Sequence, residues 1–268
     1  MDRLLEMTAR AEREHFWFHG FRRFVRPLVR DAVRSLPRDR PLRLLDCGCG
    51  TGNNLLLLGE HGRAFGIDIT YSGLAYAHEQ GERRVAQASA TDLPFPDTVF
   101  DLVGSFDVIY ALDDAGAARA LTEMYRVMRP GGYLVLNVAA LPGLGGNHGV
   151  LGGEVQRYTR RSLRGHLEGA GFSVKRLTYT NASILPLVAG VRLGQKVLGH
   201  RESTREISVP PRPVNAALTA VLAVEAAALR YVNMPLGTSL LTLASRPWGS
   251  DGGQTGVRRG SDDGLTPV

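Results

Sequence analysis

The chain has 268 residues, of which 44% are hydrophobic and 22% are charged, a balance that excludes a disordered chain, a collagen and a coiled-coil rod. The length fits one elaborated α/β domain. The formal net charge of +6 permits acidic partners, but the arginines are spread along the chain, so nucleic-acid binding is not favoured.

The amino terminus and the cysteines indicate where the protein works. Residues 1–6 carry acids and precede no apolar, small-residue cleavage pattern, so a secretory signal is not expected. The apolar stretch 216–224 is shorter than the ~20 residues of a membrane-spanning helix. The two cysteines, Cys47 and Cys49, cannot supply a four-ligand zinc site or a disulfide framework. These features predict a cytoplasmic protein without a metal.

Residues 2–35 are predicted to form a helical leader, because apolar side chains recur there at helical spacing. After Pro37 and Pro41, short apolar runs alternate with helical segments. The predicted strands are residues 42–46, 64–68, 84–87, 100–106, 133–139, 172–180 and 239–245. The predicted helices are residues 53–61, 71–80, 114–128, 159–169, 182–197 and 214–231. This alternation predicts a parallel sheet with helices on both faces.

The remaining segments complete the expected organisation. The connection 141–156 is Gly-rich and longer than most loops between strands and helices, which favours a loop beside the substrate. Residues 248–268 have no periodicity and are predicted to be a disordered tail. We therefore expect a helical leader or lid over residues 1–40, then one domain over residues 41–247 with a helical insertion at about 181–232.

A glycine-rich turn, Asp46-Cys47-Gly48-Cys49-Gly50-Thr51-Gly52, follows the first predicted strand and opens a helix. Glycines allow a tight turn whose bare backbone amides a ligand can approach. The spacing is G-x-G-x-G, with Asn53 where a dinucleotide-binding turn has its third glycine. The leading acid is unfavourable beside a pyrophosphate and suits a cationic amine such as that of S-adenosylmethionine. Asp68 ends the second strand, where a carboxylate can accept hydrogen bonds from ribose hydroxyls.

Four motifs in order resemble the class I S-adenosylmethionine-dependent methyltransferases. They are residues 44–52, residues 66–68, Asp92-Leu93-Pro94-Phe95-Pro96-Asp97 with residues 100–103, and Arg126-Val127-Met128-Arg129-Pro130-Gly131-Gly132-Tyr133. The likeness covers residues 42–140 most closely and extends to about residue 246. It implies a Rossmann-like, seven-stranded, mostly parallel sheet of order 3-2-1-4-5-7-6, with helices on both faces and strand seven antiparallel. It also implies S-adenosylmethionine as the cofactor.

The resemblance also implies roles for single residues. The glycine turn would hold the methionine part of the cofactor, Asp68 the ribose, and the segment before Leu93 the adenine. Many relatives have an aspartate at the position of Ser89, so here the Ser89 hydroxyl or the backbone near Ala90 would meet the adenine. The predicted cofactor-binding residues are Asp46, Gly48, Cys49, Gly50, Gly52, Asp68, Ile69, Ser89, Ala90 and Phe106. The alternative for the two aspartates is a strand-end cap, and for the cysteine thiols a small turn residue without chemistry.

A narrower resemblance is to a bacterial branch of these enzymes with an aromatic-rich leader and a histidine-bearing loop after strand five. It rests on His15-Phe16-Trp17-Phe18, Arg22-Arg23, Arg157-Tyr158-Thr159 and Glu168-Gly169-Ala170-Gly171-Phe172. The chain departs from that branch at Tyr110-Ala111, Gly149 and Glu154. The leader aromatics Trp17 and Phe18, with His15, are predicted to close over the cofactor; the alternative is that they only pack the leader onto the sheet.

Methyl transfer is an in-line displacement at an activated carbon, so alignment and exclusion of water are the main requirements. A hydroxyl acceptor also needs a base. His148 is the candidate base, with a solvated loop histidine as the alternative. Tyr158 is the candidate that orients the acceptor, with a buried core tyrosine as the alternative.

The predicted function is transfer of a methyl group from S-adenosylmethionine to a small-molecule or lipid-like acceptor. The alternatives are an S-adenosylmethionine-binding protein without transfer activity and an NAD-dependent oxidoreductase. The two late apolar helices fit a core, an acceptor pocket, a dimer face or a surface resting on the inner face of a membrane. The sequence leaves the acceptor and the oligomeric state open.

Overall fold

The computed structural model describes residues 3–142, 155–190 and 209–248. Its seven strands form one sheet in the order β3-β2-β1-β4-β5-β7-β6. Strands β1 to β5 are parallel, and β7 runs antiparallel to both β5 and β6. The strands are β1 (Arg43–Cys47), β2 (Arg63–Asp68), β3 (Val85–Gln87), β4 (Phe100–Phe106), β5 (Met128–Ala139), β6 (Ser173–Thr180) and β7 (Ser239–Ser245). This topology confirms the predicted fold class and strand order.

Helices cover both faces of the sheet. They are α1 (Arg3–Glu14), α2 (Phe16–Arg34), α3 (Asn53–Gly59), α4 (Tyr71–Glu79), α5 (Asp114–Val127), α6 (Arg160–Gly169) and α7 (Arg212–Ala228). Side-chain caps define two of the starts: Asp113 accepts from the Gly116 amide at 2.7 Å, and Thr159 and Ser162 form a capping box.

The core has one hydrophobic layer on each face, because successive side chains of a strand point to opposite sides. Leu45, Val103 and Leu134 belong to the layer under α5 and α6. Their neighbours Leu44, Leu102 and Val135 belong to the layer under α2, α3 and α7. Every residue of β4 is buried, as expected for a central strand of a sheet covered on both faces.

The leader consists of two helices rather than the one predicted. The break lies at His15, whose extended backbone precedes α2 and whose Nδ1 accepts from the Trp17 amide at 3.1 Å. Asn215 of α7 spans the break: its Nδ2 donates to the Glu14 carbonyl and its Oδ1 accepts from the Phe16 amide, both at 2.8 Å. Helical periodicity continues across the break, so the pattern alone did not reveal it.

Other predicted boundaries shift. Strand β5 begins at Met128, not at residue 133, because Met128 pairs with Phe100 before a register shift. Helix α7 begins at Arg212, since Pro213 is tolerated in the first turn of a helix. Of the predicted helix 182–197, residues 185–190 are helical and those from 191 onward lie outside the described residues. The predicted tail, from residue 249 onward, and residues 143–154 of the predicted substrate loop also lie outside them.

Within the described ranges, none of the helices has both the length and the apolar character that crossing a bilayer requires.

Candidate functional site

The candidate site lies at the carboxyl ends of β1, β2 and β4. The chain runs outward from β1 to β2 and β3 on one side, while β4 is the neighbour of β1 on the other side. This reversal opens a crevice at the ends of β1 and β4, the place where open α/β sheets bind ligands. The glycine turn after β1 and the turn after β4 form its walls.

Two glycines of the turn are required for different reasons. Gly48 has a φ of +89°, and a Cβ there would lie 2.1 Å from Cγ2 of Val108, in the segment after β4. Gly50 has a φ of +49°, and a Cβ there would point into open space. Gly48 therefore lets the two turns approach each other, whereas Gly50 leaves a bare backbone facing the crevice.

The prediction that the turn presents bare amides is wrong. The amides of Gly48 and Cys49 donate to the Ile67 carbonyl at 2.7 and 2.9 Å, and the Gly52 amide donates to the Cys49 carbonyl at 2.8 Å. The Gly50 amide donates to Oδ2 of Asp68 at 2.8 Å. Buried amides take acceptors within the protein when these are in reach. Four amides of the turn, those of Gly48, Cys49, Gly50 and Gly52, are thus already engaged within the protein.

Asp46 is fully buried, and neither of its carboxylate oxygens has a hydrogen-bond partner among the described residues. Burial raises the pKa of Asp46 to about 8, and the nearby charges of Asp68 and Glu12 act in the same direction. A buried carboxylate without a donor is costly unless a cation neutralises it. The turn is therefore electrostatically suited to a cationic ligand.

Asp68 is oriented by three donors. Its Oδ2 accepts from the Gly50 amide, and its Oδ1 accepts from the Thr70 amide at 2.8 Å and the Thr70 hydroxyl at 2.5 Å. A carboxylate offers about four acceptor positions. The hydroxyl of Thr70 is a rotor, so its rotation would free a second position for a pair of ribose hydroxyls.

The predicted adenine region lies beside Asp68 on an open surface. Ile69 is 68% exposed, and its carbonyl accepts from Nε2 of Gln87 at 2.9 Å. Ala90 is buried, whereas Ser89 is exposed and shares a 2.8 Å hydrogen bond with the Thr91 hydroxyl. An exposed aliphatic surface next to a ribose-binding acid suits a planar base.

A cavity of about 180 Å³ opens between the leader and the glycine turn. Its volume is below the ~300 Å³ at which pockets for whole small ligands begin. Asp68, Ile69 and Ser89 lie outside its lining, so it fits one end of an extended ligand. The lining residues are Glu12, Trp17, Phe18, Phe21, Arg22, Gly48, Cys49, Gly50, Asn53, Asn54, Phe106 and Asp107.

The leader contributes more to this cavity than the sequence predicted. Trp17 and Phe18 lie in its wall, as the lid interpretation required, and Phe21 packs edge-to-face on Phe106 with ring centroids 5.3 Å apart. Arg22, which the sequence placed in the leader motif, also lines it, and so does Glu12, which sequence reasoning missed. No spacing rule links α1 to the turn; the one available signal was that both residues flank the aromatic cluster of the leader.

The two candidate catalytic residues have different outcomes. His148 lies outside the described residues. Tyr158 is buried in the core, where its hydroxyl accepts from Nε2 of Gln156 at 2.7 Å and donates to the Ile109 carbonyl at 3.4 Å. Burial raises the pKa of Tyr158. These contacts give the Tyr158 hydroxyl a structural partner on each side, and the residue is absent from the cavity lining.

Phe106 and Asp107, at the end of β4, also line the cavity. Asp107 has a φ of +58°, a strained conformation for a residue with a Cβ and one that clusters at functional sites. Its Oδ1 accepts from Nδ2 of Asn137 at 2.9 Å, and its amide donates to the Asn137 carbonyl at 3.0 Å. Asn137 thus holds Asp107 at the mouth of the cavity.

The cysteines do not form a reactive or metal-binding group. Cys47 and Cys49 are free and buried, and burial beside Asp46 and Asp68 raises the pKa of both thiols. The described ranges hold no cluster of three or more His, Cys, Asp or Glu residues that could bind a metal ion. Cys49 lines the cavity with a neutral thiol.

The residues present fit S-adenosylmethionine. Its amino-acid end carries an ammonium group and lies beside a sulfonium, and the turn offers the unpartnered Asp46 together with Glu12. Its ribose has the vicinal hydroxyls that Asp68 can accept. Asp46 and Asp68 would therefore hold the group, with Gly50 leaving it room to approach the turn, and the group supplies an electrophilic methyl when bound.

Comparisons with known proteins agree with this geometry. A family model for a methyltransferase domain matches residues 45–136. A demethylmenaquinone methyltransferase of Thermus thermophilus is 29% identical over 227 residues, which cover 81% of this chain and 89% of that protein. A protein of the same name from Symbiobacterium thermophilum is 36% identical over 115 residues, 37% of this chain and 43% of that protein. The chain spans about half the length of several curated relatives that it matches.

Solved structures show the same fold. A SAM-dependent methyltransferase from Archaeoglobus fulgidus superposes with a TM-score of 0.54 at 18% identity, covering 89% of this chain and 98% of that one. The matched domain contains the glycine turn, Asp68 and the end of β4. Residues 45–136 therefore match a methyltransferase domain, and the sheet has the fold of the S-adenosylmethionine-dependent methyltransferases.

Proposed function

We propose that the protein transfers the methyl group of S-adenosylmethionine to a small-molecule or lipid-like acceptor. The observation that carries this proposal is Asp46, a fully buried carboxylate without a partner among the described residues, in the turn whose Gly48, Cys49 and Gly50 line the cavity. A cation at the turn would stabilise the ionised form of Asp46, which burial disfavours. Asp68 would align the nucleoside, so that the methyl points toward Phe106 and Asp107.

The acceptor would enter between the leader and the end of β4. Trp17, Phe18 and Phe21 with Phe106 make this passage aromatic, which excludes water and favours an apolar or planar acceptor. Asp107, held by Asn137, lies at its mouth and would accept a hydrogen bond from an acceptor hydroxyl or amine. We propose His148 as the base that takes the proton of a hydroxyl acceptor. We propose that Tyr158, from its position in the core, orients the acceptor.

A lipid-like acceptor has independent support in helix α7. Its outward face is apolar, with Val224 72% exposed and with Val214 and Val221 also exposed. Its only acid, Glu225, is buried and accepts from the Ala182 and Ser183 amides at 2.9 Å. Exposed arginines follow the pattern of a helix lying on an anionic surface, since Arg212 begins the helix and Arg230 follows its end. We propose that this face rests on an anionic membrane, where acceptors of this class reside.

The transfer reaction is tested with S-adenosylmethionine labelled in its methyl group. The wild-type protein and Asp68→Ala are incubated with a bacterial cell extract, which is then divided into chloroform-soluble and water-soluble fractions, and unreacted cofactor is removed from the water-soluble fraction before counting. We expect label in the chloroform fraction with wild type and none with Asp68→Ala. Label only in the aqueous fraction would restrict the acceptor to polar molecules. No label in either, with saturable cofactor binding, would support the binding protein without transfer activity.

The membrane proposal has its own test. Sedimentation with vesicles of phosphatidylcholine alone is compared with vesicles containing phosphatidylglycerol. Binding is expected only to the anionic vesicles and is expected to weaken in Val224→Asp, while the exposed control Leu56→Asp on α3 leaves it unchanged. Equal recovery of both variants, or a stable dimer that buries this face, would contradict the proposal.

A further inference from the structure

The leader places an acid and a base in the same cavity without pairing them. Glu12 of α1 and Arg22 of α2 both line it. The Arg22 guanidinium donates to the backbone carbonyl of Glu12 at 2.9 Å and approaches Nδ1 of His19 at 3.5 Å. Among the described residues, neither Glu12 nor Arg22 forms an ion pair within 4.0 Å. Two opposite charges are thus held close together and left open to the cavity.

Glu12 adjoins the glycine turn directly. Its Oε2 accepts from the hydroxyl of Thr51 and from Nδ2 of Asn53. No described donor reaches its Oε1. The carboxylate of Glu12 therefore has one oxygen anchored to the turn and the other available to a ligand in the cavity.

The position of the leader is fixed by contacts that do not involve the cavity. Asn215 of α7 joins the end of α1 to the start of α2, and the Arg13 guanidinium donates to the Tyr76 hydroxyl of α4 at 2.6 Å. Helices α4 and α7 thus hold the leader over the turn from both sides. The carboxylate of Glu12 meets the turn because the fold holds it there.

The amino-acid end of the cofactor is a zwitterion, with an ammonium and a carboxylate on one carbon. Three carboxylates, those of Asp46, Asp68 and Glu12, are near the turn, close enough that the latter two raise the pKa of Asp46. Arg22 is the cation of the cavity lining; burial lowers its pKa, with Arg23 and Arg26 acting in the same direction and the charge of Glu12 acting against them. Opposite charges presented at one mouth match a zwitterion and do not match a neutral nucleoside.

We propose that the leader is a specificity element for the amino-acid end of the cofactor, with Glu12 binding its ammonium and Arg22 its carboxylate. This inference rests on the proposed function, since it takes the cofactor as the ligand. It goes beyond that function by making recognition of the cofactor depend on contacts between the leader and the zwitterion. A nucleoside that lacks the amino-acid end, such as 5′-methylthioadenosine, would occupy Asp68 and Ile69 without engaging the leader.

The test compares S-adenosylhomocysteine with 5′-methylthioadenosine by calorimetry. Glu12→Gln and Arg22→Gln are each expected to weaken binding of S-adenosylhomocysteine about tenfold or more, because each removes a charge-assisted hydrogen bond. Both are expected to leave the affinity for 5′-methylthioadenosine within about twofold. The matched controls are Glu14→Gln on the same helix, whose side chain pairs with Arg10, and Arg23→Gln, which is exposed and outside the cavity lining.

A spectroscopic readout reports whether a ligand contacts the leader. The chain has two tryptophans, and Trp248→Phe leaves Trp17 of the cavity wall as the only one. Its emission is expected to shift with S-adenosylhomocysteine, but not with 5′-methylthioadenosine and not in Glu12→Gln. Equal losses of affinity for both ligands would mean that Glu12 only stabilises the turn, and would overturn the inference. Failure of the wild type to bind either ligand would instead refute the proposed function.

Discussion

Two buried aspartates, one beside the start of strand β1 and one near its end, have opposite environments. Asp101, at the start of β4, accepts from the Arg43 amide of β1 at 2.8 Å and from the guanidinium groups of Arg40 and Arg129. Asp46, near the carboxyl end of β1, has no donor among the described residues. Both are nearly inaccessible to solvent, at 2% and 0%. The difference separates a carboxylate that stabilises the fold from one whose partner must come from outside the protein.

The pKa directions express this difference. Burial acts to raise the pKa of Asp101, but hydrogen bonds from Arg40, Arg43 and Arg129 outweigh it and leave the pKa lowered. At Asp46 burial meets no opposing contact, and the pKa is raised. Asp101, at the amino-terminal end of the sheet, is therefore paired within the protein. Asp46, near the carboxyl-terminal end, is paired only when a cationic ligand binds.

The largest effect is expected when Asp46 is replaced by Asn. Without its charge, affinity for S-adenosylhomocysteine should fall by about 30-fold or more, since a buried interaction with a cation is lost. The free energy of unfolding of the unliganded protein should instead rise in Asp46→Asn. The folded pKa of Asp46 is raised, so the native state keeps a proton that the unfolded state releases, and stability falls as pH rises from about 4 toward 8. Urea unfolding at pH 5.5 and 8 should show that slope in wild type and a smaller slope in Asp46→Asn.

Asp101→Asn should lower stability and leave the affinity for S-adenosylhomocysteine unchanged, the reverse of Asp46→Asn. We expect a loss of about 2 to 3 kcal/mol in the free energy of unfolding, because two arginines and a backbone amide lose a charged acceptor; the partial exposure of both arginines keeps the value low. The folded pKa of Asp101 is lowered, so its contribution is present above pH 3.8 and is lost as pH falls. Affinity for S-adenosylhomocysteine at 10 °C should be unchanged. A stable variant that loses binding would break the comparison.

The glycine turn gives a matched pair of smaller effects. Gly48→Ala should destabilise the fold by about 2 kcal/mol or more, since its Cβ would meet Val108 at 2.1 Å. Gly50→Ala should cost only about 1 kcal/mol of backbone strain, because its Cβ meets open space. That Cβ would project into the crevice and weaken binding of S-adenosylhomocysteine about tenfold. Thermal melts and calorimetry on both variants would show whether stability and binding separate in this way.

The smallest effect is expected for Tyr158→Phe. Loss of the hydrogen bonds to Gln156 and Ile109 should lower stability by about 1 kcal/mol. If Tyr158 also positions the acceptor, kcat should fall with the KM for S-adenosylmethionine unchanged. A melt combined with steady-state kinetics distinguishes the two roles, and an unchanged kcat would restrict Tyr158 to the core.

The sheet could be predicted from the sequence because its signals are local. Short apolar runs such as residues 100–106 and the glycine turn have fixed spacing, and the order of the strands followed from the resemblance. Asp46 and Asp68 lie near the ends of β1 and β2, where the sequence placed them, while their role in cofactor binding stays a prediction. The engagement of the turn amides was not predicted, because the acceptors at Ile67 and Asp68 belong to another strand.

The leader could be predicted only in part. Its helical character and aromatic residues follow from periodicity, but the break at His15 depends on Asn215, far away in the sequence. The presence of Glu12 in the cavity depends on how α1 packs over the turn. Such long-range contacts carry no spacing signal, so residues that reach a site from a separate element escape sequence reasoning.

The central claim is that the Asp46 carboxylate awaits a cationic nucleoside, and proton release on binding tests it most directly. At pH 7 the raised pKa leaves Asp46 protonated in the unliganded protein, and a bound ammonium would drive that proton off. Titration of S-adenosylhomocysteine in two buffers of different ionisation enthalpy should show release of about one proton per ligand in wild type and none in Asp46→Asn. Saturable binding without proton release, or no binding at all, would contradict the account.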